Sequence, residues 1–459
     1  MKNAPKRVPP APQVMAALFA QYKKANVKVS FKKYLESIGF TDPAATIPGM
    51  DDTARHVKTL VAPIQLISVP AKKVTGELRI KVLLVDFSDK PGVLPADHYE
   101  SLLFSRKTYP TGSMADYFEE VTLGKVKLKG NIHGWLRMPQ PYSYYTANGS
   151  GTDSPYPNNA QKLAEDAVTA ALNSGVQFEP ELDKLKQGII TALFIIHAGR
   201  GAEEIVGPSS ADEIWSHKWA LNNPIITGPN LLASIYLAVP NDCKVGVCAH
   251  ELGHLAFQWE DFYDPNYDQD GSEWDGSGVW DLMAGGSWNN GGITPAHPAG
   301  LHKSQHGWIT VEQVTKTKSF TLKSYAAKYG KVIKLFSPKY KPNQYILLEN
   351  RTRKGFDFHL PGEGLLIWRV DESNEQTTAD SPALFLIQAD GKHDLEKPDD
   401  WNSGDAGDPF PGDSSRIKLT DSGKLSTTFP KGKKSGITIS NIKFNSTTGE
   451  VKFKVTIKK

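Results

Sequence analysis

The stretch His250-Glu251-Leu252-Gly253-His254 constrains this chain more than any other. On a helix, positions i and i+4 share one face about one turn apart, so two imidazoles at that spacing can aim at one metal ion. Glu251 is offset by one residue. Its carboxylate then lies beside a metal-bound water and can take that water's proton.

A zinc site that performs hydrolysis uses three protein ligands and keeps one position open. Two routes lead to the third ligand. In the first, a Glu follows on a second helix well downstream. Glu273 lies at such a distance, but it sits in Asp268-Gln269-Asp270-Gly271-Ser272-Glu273, which reads as a loop. In the second, the chain bends soon after the helix and returns a ligand about ten residues from the first His. Glu260 and Asp261 both fall there, and Asp261 is preferred.

The zinc motif followed by Asp261-Phe262-Tyr263-Asp264 resembles the immune inhibitor A family of secreted zinc metallopeptidases, relatives of the metzincins. The resemblance assigns the third ligand to Asp261. Glu260 stands where the family usually has Pro, and Phe257 where metzincins have Gly, so the bend is expected one position later. Val279-Trp280-Asp281-Leu282-Met283 resembles the family's Met-containing turn beneath the metal. The fold implied is α+β: a metzincin-like catalytic domain with a mixed sheet and an active-site helix, followed by a β-rich lobe. The resemblance covers most of residues 76–412.

Composition excludes several other classes. A net charge of +3 over 459 residues is too small to argue for nucleic acid. No apolar run approaches the roughly 20 residues of a membrane span. The basic start lacks the apolar core of a signal peptide. The chain is therefore expected to be either cytosolic or an extracellular protein whose signal has been removed, and the resemblance favours the second. Cys243 and Cys248 are the two cysteines. They read either as a short disulfide or as a pair of free thiols.

Three units are expected. Residues 1–75 form a basic helical leader, with helices near Val14–Tyr22 and from Ser30, which is placed to cap. On composition it reads as a solvated arm, whereas the resemblance makes it prosegment-like. Residues 76–310 form the catalytic unit. Its expected elements are a strand at Leu78–Phe87, a helix capped by Ser113, a strand pair around Gly124–Gly130 and Gly134–Leu136, an Ala-rich helix from Asn158 and a buried strand at Ile189–Gly199. Tyr236–Pro240 should lie beside the active helix, and it or the stretch before it should offer an edge to an extended substrate. Residues 311–459 read as β-rich and end in a hairpin.

Other candidate residues are weighed against ordinary structural roles. His197 ends an apolar strand, and His297, His302 and His306 lack ligand spacing to the helix, so all four are read as structural. The acidic stretches at 264–271 and 402–408 are candidates for calcium or simply solvated loops. The commitment is a zinc endopeptidase acting on protein or peptide substrates, with zinc on His250, His254 and Asp261 and with Glu251 as general base. The alternatives are a binding protein on a protease scaffold and a zinc hydrolase of another amide.

Overall fold

The computed structural model describes residues 6–40, 72–263, 275–325, 329–373, 382–397 and 402–458. The leader contributes a short strand β1 (Lys6–Arg7) and helices α1 (Pro12–Ala25) and α2 (Phe31–Ser37). Ser30 Oγ accepts the Lys33 N–H at 3.3 Å at the start of α2. Val8, Val14, Met15 and Leu18 are buried, so this part of the leader packs rather than lying as a solvated arm. Its apolar residues at helical spacing outweigh the Lys and Arg between them.

The chain then lays down β2 (Gly76–Asp86), α3 (Ala96–Phe104), α4 (Met114–Val121) and β3 (Val126–Arg137). It continues with α5 (Tyr142–Thr146), α6 (Ala160–Asn173), β4 (Leu193–His197), β5 (His217–Gly228), β6 (Leu231–Pro240), α7 (Val245–Phe257) and α8 (Gly300–Gln305). The six-stranded sheet runs β1-β5-β6-β4-β2-β3. Its β3, β2, β4 and β6 are parallel neighbours, while β5 returns antiparallel to β6 and β1 antiparallel to β5. Both faces of β2 are covered, which explains its switch from alternation to a continuous apolar run. Val82 and Leu84 join the core under α7, whereas Leu83 and Val85 join the core under α6.

Two local signals behave differently. Ser113 caps α4 as expected: its Oγ accepts the Asp116 N–H at 3.0 Å, and Asp116 returns the contact to the Ser113 N–H at 3.1 Å. The strand pair expected at 124–136 is instead the single strand β3, parallel to β2. Its glycines mark an irregularity rather than a turn. Gly134 has φ +120°, and a Cβ there would lie 2.3 Å from Leu84 O, where the register with β2 shifts.

Beyond residue 310 the chain is β-rich. Strands β7 (Thr310–Val314), β8 (Lys318–Leu322), β9 (Lys331–Leu335), β10 (Gln344–Arg351), β11 (Gly364–Asp371), β12 (Leu384–Leu386), β13 (Ile437–Asn445) and β14 (Glu450–Ile457) form two sheets. Their orders are β12-β11-β10-β9-β7 and β13-β14-β8. Leu347 and Trp368 face the core packed against α7, whereas Ile346 and Ile367 face the smaller sheet. One hydrophobic core therefore crosses the boundary expected at 310. Among the described residues, no helix is long and apolar enough to cross a membrane.

Candidate metal centre

Every residue of α7 is buried. Two glycines make this possible. A Cβ on Gly246 would lie 1.9 Å from Ser287 O, and one on Gly253 would lie 2.7 Å from Met283 Sδ. Met283 thus sits against the helix between the two histidine turns. The helix ends at Gln258, which adopts a left-handed φ of 59°, and the Trp259 N–H returns to Gly253 O at 3.1 Å. The reversal falls one residue after Phe257, and the chain then leads back to Asp261.

Three ligand atoms converge there. His250 Nε2 and His254 Nε2 are 3.1 Å apart. Asp261 Oδ1 lies 3.3 Å from the first and 3.1 Å from the second. The far side of each ring is already engaged: His250 Nδ1 donates to Leu282 O at 2.9 Å and His254 Nδ1 to Trp259 O at 2.6 Å. These bonds leave both Nε2 lone pairs pointing at each other across a buried gap. Two facing lone pairs and a carboxylate suit a cation between them. A tetrahedral zinc with bonds of about 2.0–2.2 Å would separate its ligands by about 3.3–3.6 Å. The observed triangle fits it after a small expansion.

The turn beneath is held as tightly. Phe262 N–H donates to Met283 O at 2.8 Å. Asp281 receives the Met283 N–H, the Ala299 N–H and His302 Nε2 at 3.3, 2.9 and 3.1 Å. Burial pushes the Asp281 carboxyl up, but His302 and those N–H groups outweigh it and hold it below the usual range.

Glu251 is fully buried, and its two carboxylate oxygens have no hydrogen-bond partner among the described residues. Burial first, then the Asp261 carboxylate, push its carboxyl well above the usual range. The Val8 N–H faces it and pulls the other way, although that N–H donates to Ser216 O at 3.2 Å. A dication beside Asp261 would reverse the upward push on Glu251.

Glu260 is buried but outside the converging trio. Glu273 and the acidic stretch 264–271 lie outside the described residues. The other histidines weighed from the sequence have different surroundings. His297 meets Glu120 at 2.8 Å, and His306 donates to Phe257 O at 3.2 Å. His197 is buried against Tyr142, and burial holds its pKa well below the usual range. Cys243 and Cys248 are buried free thiols in contact with each other. In the second acidic stretch, Asp405 joins Asp390 and Asp394 in a trio that two lysines partly neutralise.

Beside α7, β6 is enclosed between β5 and β4, which leaves the other side of β5 open to a further strand. Here β1 adds as a further strand, with Arg7 opposite His217. Trp215 Nε1 donates to Val8 O at 2.9 Å and Trp288 Nε1 to Pro9 O at 2.7 Å. Tyr263 OH donates to Arg7 O at 2.8 Å. Sequence reasoning assigned none of these residues a functional role. Tyr263 lies two positions after Asp261 inside the motif, which was the available signal.

Residues 74–315 match the family described as immune inhibitor A peptidase M6, catalytic domain. The chain is 29% identical over 319 residues to Immune inhibitor A of Bacillus thuringiensis subsp. alesti, covering 59% of this chain and 45% of that protein. It is 30% identical over 290 residues to the pre-pro-metalloprotease PrtV of Vibrio cholerae serotype O1, covering 52% of this chain and 31% of that protein. The chain thus spans less than half the length of the curated relatives it matches.

Proposed function

The chain belongs to the immune inhibitor A family of peptidases, and on that footing we propose that it is a zinc-dependent endopeptidase acting on proteins or peptides. The observation that carries this reading is the buried triangle of His250 Nε2, His254 Nε2 and Asp261 Oδ1, with the Glu251 carboxylate, which has no hydrogen-bond partner among the described residues, on the same helix. In this reading those three residues hold zinc in a metzincin-like arrangement, with Met283 packed beneath. When bound, the ion supplies Lewis acidity, polarising a carbonyl and lowering the pKa of water.

The chain's own residues do the rest. Glu251 takes a proton from the attacking water and returns it to the departing amide nitrogen. The hydrogen bonds from His250 and His254 to Leu282 O and Trp259 O fix the ring orientation and keep Nε2 deprotonated. The edge of β5 aligns an extended substrate by main-chain pairing. The extracellular setting implied by the sequence resemblance is part of the same proposal.

The reading is tested by hydrolysis of casein and a metal assay on the same sample. Activity should follow zinc content, vanish with a chelator and return with zinc. A zinc-loaded protein that cuts no peptide bond would favour a binding role on a protease scaffold. Cleavage of small amides but not of proteins would favour a different zinc hydrolase.

The leader is part of this proposal because β1 and Val8 occupy the β5 edge in front of Glu251. We read residues 6–40 as a prosegment-like cover on the cleft. Nicking the leader should then raise the rate per zinc-loaded molecule on a small fluorogenic peptide. Equal rates before and after would reduce it to a structural arm.

A further inference from the structure

We propose that the cleft selects a basic side chain immediately on the amino side of the bond it cuts, and that Asp153 reads its charge. This rests on the peptidase reading above and adds the class of substrate.

Arg7 shows what the pocket accepts. Its side chain is 1% exposed, although it lies on a strand added to the outer edge of a sheet. Burying a guanidinium is costly unless its charge is met. Here the Asp153 carboxylate meets it, and the guanidinium carbon lies 5.9 Å from the centre of the Trp215 ring. Asp153 comes from a loop 146 residues further along the chain. It is 27% exposed, so it belongs to the wall of the cleft rather than to the core. The pairing of a planar cation with a carboxylate and an indole face is chemistry specific to a basic side chain.

The register follows from main-chain contacts. A peptide that adds to the β5 edge as β1 does inherits the pairing of Arg7 with His217 and of Val8 N–H with Ser216 O. The peptide group between residues 7 and 8 then stands at the centre of the site. Its carbonyl oxygen accepts from Tyr263 OH at 2.8 Å, two residues after Asp261, and β1 packs against α7, the helix that carries Glu251. On hydrolysis the C–N bond of that group breaks. The water's hydroxyl joins the carbonyl carbon of the residue in Arg7's place, and its proton goes to the nitrogen of the residue in Val8's place. The residue in Arg7's place therefore forms the acyl side, and Asp153 is its partner. The indoles of Trp215 and Trp288 hold the carbonyls of Val8 and Pro9 on the other side.

The test uses the full-length, zinc-loaded chain carrying Arg7→Glu, so that its own segment no longer fills the pocket. Internally quenched peptides built on residues 6–10, Lys-X-Val-Pro-Pro with X as Arg, Leu or Glu, are compared by kcat/KM, and mass spectrometry locates the cut. We expect cleavage after X, with Arg favoured over Glu by about 10²-fold. Adding Asp153→Asn should shrink that ratio by about tenfold, and Asp153→Lys should turn it toward Glu. Each ratio is taken on a single protein, so the folded fraction cancels. Cleavage that ignores X, or a ratio that Asp153→Lys leaves unchanged, overturns the specificity proposal while leaving the peptidase standing. Failure to cut any peptide or casein overturns both.

Discussion

Among the described residues, two places bring ligand atoms of three side chains within 4.8 Å of one another, and they differ in what already neutralises them. At His250, His254 and Asp261 the surroundings point the lone pairs inward and bury them. At Asp390, Asp394 and Asp405 the chain brings its own cations. Lys392 Nζ lies 3.0 Å from both Asp390 and Asp405, and Lys397 Nζ lies 2.8 Å from Asp394. Asn402 donates to Asp394 at 2.9 Å. Convergence of ligand atoms therefore does not by itself call for an ion. The deciding feature is whether the charge and lone pairs are already satisfied by the fold, and only the first trio sits beside a second buried acid, Glu251, with no hydrogen-bond partner among the described residues.

The comparison is broken most severely by the acid that no ligand role requires. Glu251→Gln keeps the shape and removes the base, so hydrolysis should fall by about 10²–10⁴-fold with zinc content unchanged. Casein hydrolysis and metal analysis on both proteins check this. Undiminished hydrolysis in the variant would take Glu251 out of the mechanism.

The next largest effect separates ligands from neighbours. Asp261→Ala should weaken zinc binding by more than about 100-fold, whereas Glu260→Ala should cost about tenfold or less. Asp390→Asn, in the lysine-neutralised trio, should leave zinc affinity where it was. Competition titrations with a chromophoric chelator measure all three. A larger loss from Glu260→Ala than from Asp261→Ala would reverse the ligand assignment.

The contrast also separates what the sequence displays from what it hides. The i, i+4 histidines are legible because helical geometry converts spacing directly into a shared face. Asp261 is harder, since two acids stand side by side and the choice depends on where the chain bends. That bend is hidden because a glutamine, not a glycine, takes the left-handed position at 258. Gly130 and Gly134 mislead in the opposite sense, suggesting a turn where β3 continues through an irregularity against β2. The burial of Arg7 is least legible of all. It follows Lys6 in a basic start that implies solvent, and the carboxylate that permits burial lies 146 positions away. Long-range charge pairing leaves no trace in a local window.

The smallest expected effect probes the second trio through Asp408, which lies beside it. Asp408 is 1% exposed and accepts the Trp280 Nε1–H and the Asp405 N–H, each at 2.9 Å. Burial pushes its carboxyl up to about 7, and Asp405 and Asp390 add to the push against those two hydrogen bonds. An unfolded Asp ionises near about 3.9. Between those values the folded chain holds a proton that the unfolded chain has lost, so this group's contribution to stability is full below about pH 4 and declines as pH rises toward 7. Asp408→Asn keeps an accepting oxygen and abolishes the ionisation. Relative to the parent, the variant should therefore gain about 1–3 kcal/mol between pH 5 and pH 7.5, read from urea unfolding of both proteins at the two pH values. A parallel pair of curves would mean that Asp408 ionises normally in the fold. Repeating the measurement in millimolar calcium sharpens the contrast with the trio of His250, His254 and Asp261. A cation seated among Asp390, Asp394 and Asp405 would lower the Asp408 pKa and erase the difference between the proteins. The lysine-neutralised arrangement requires the difference to persist.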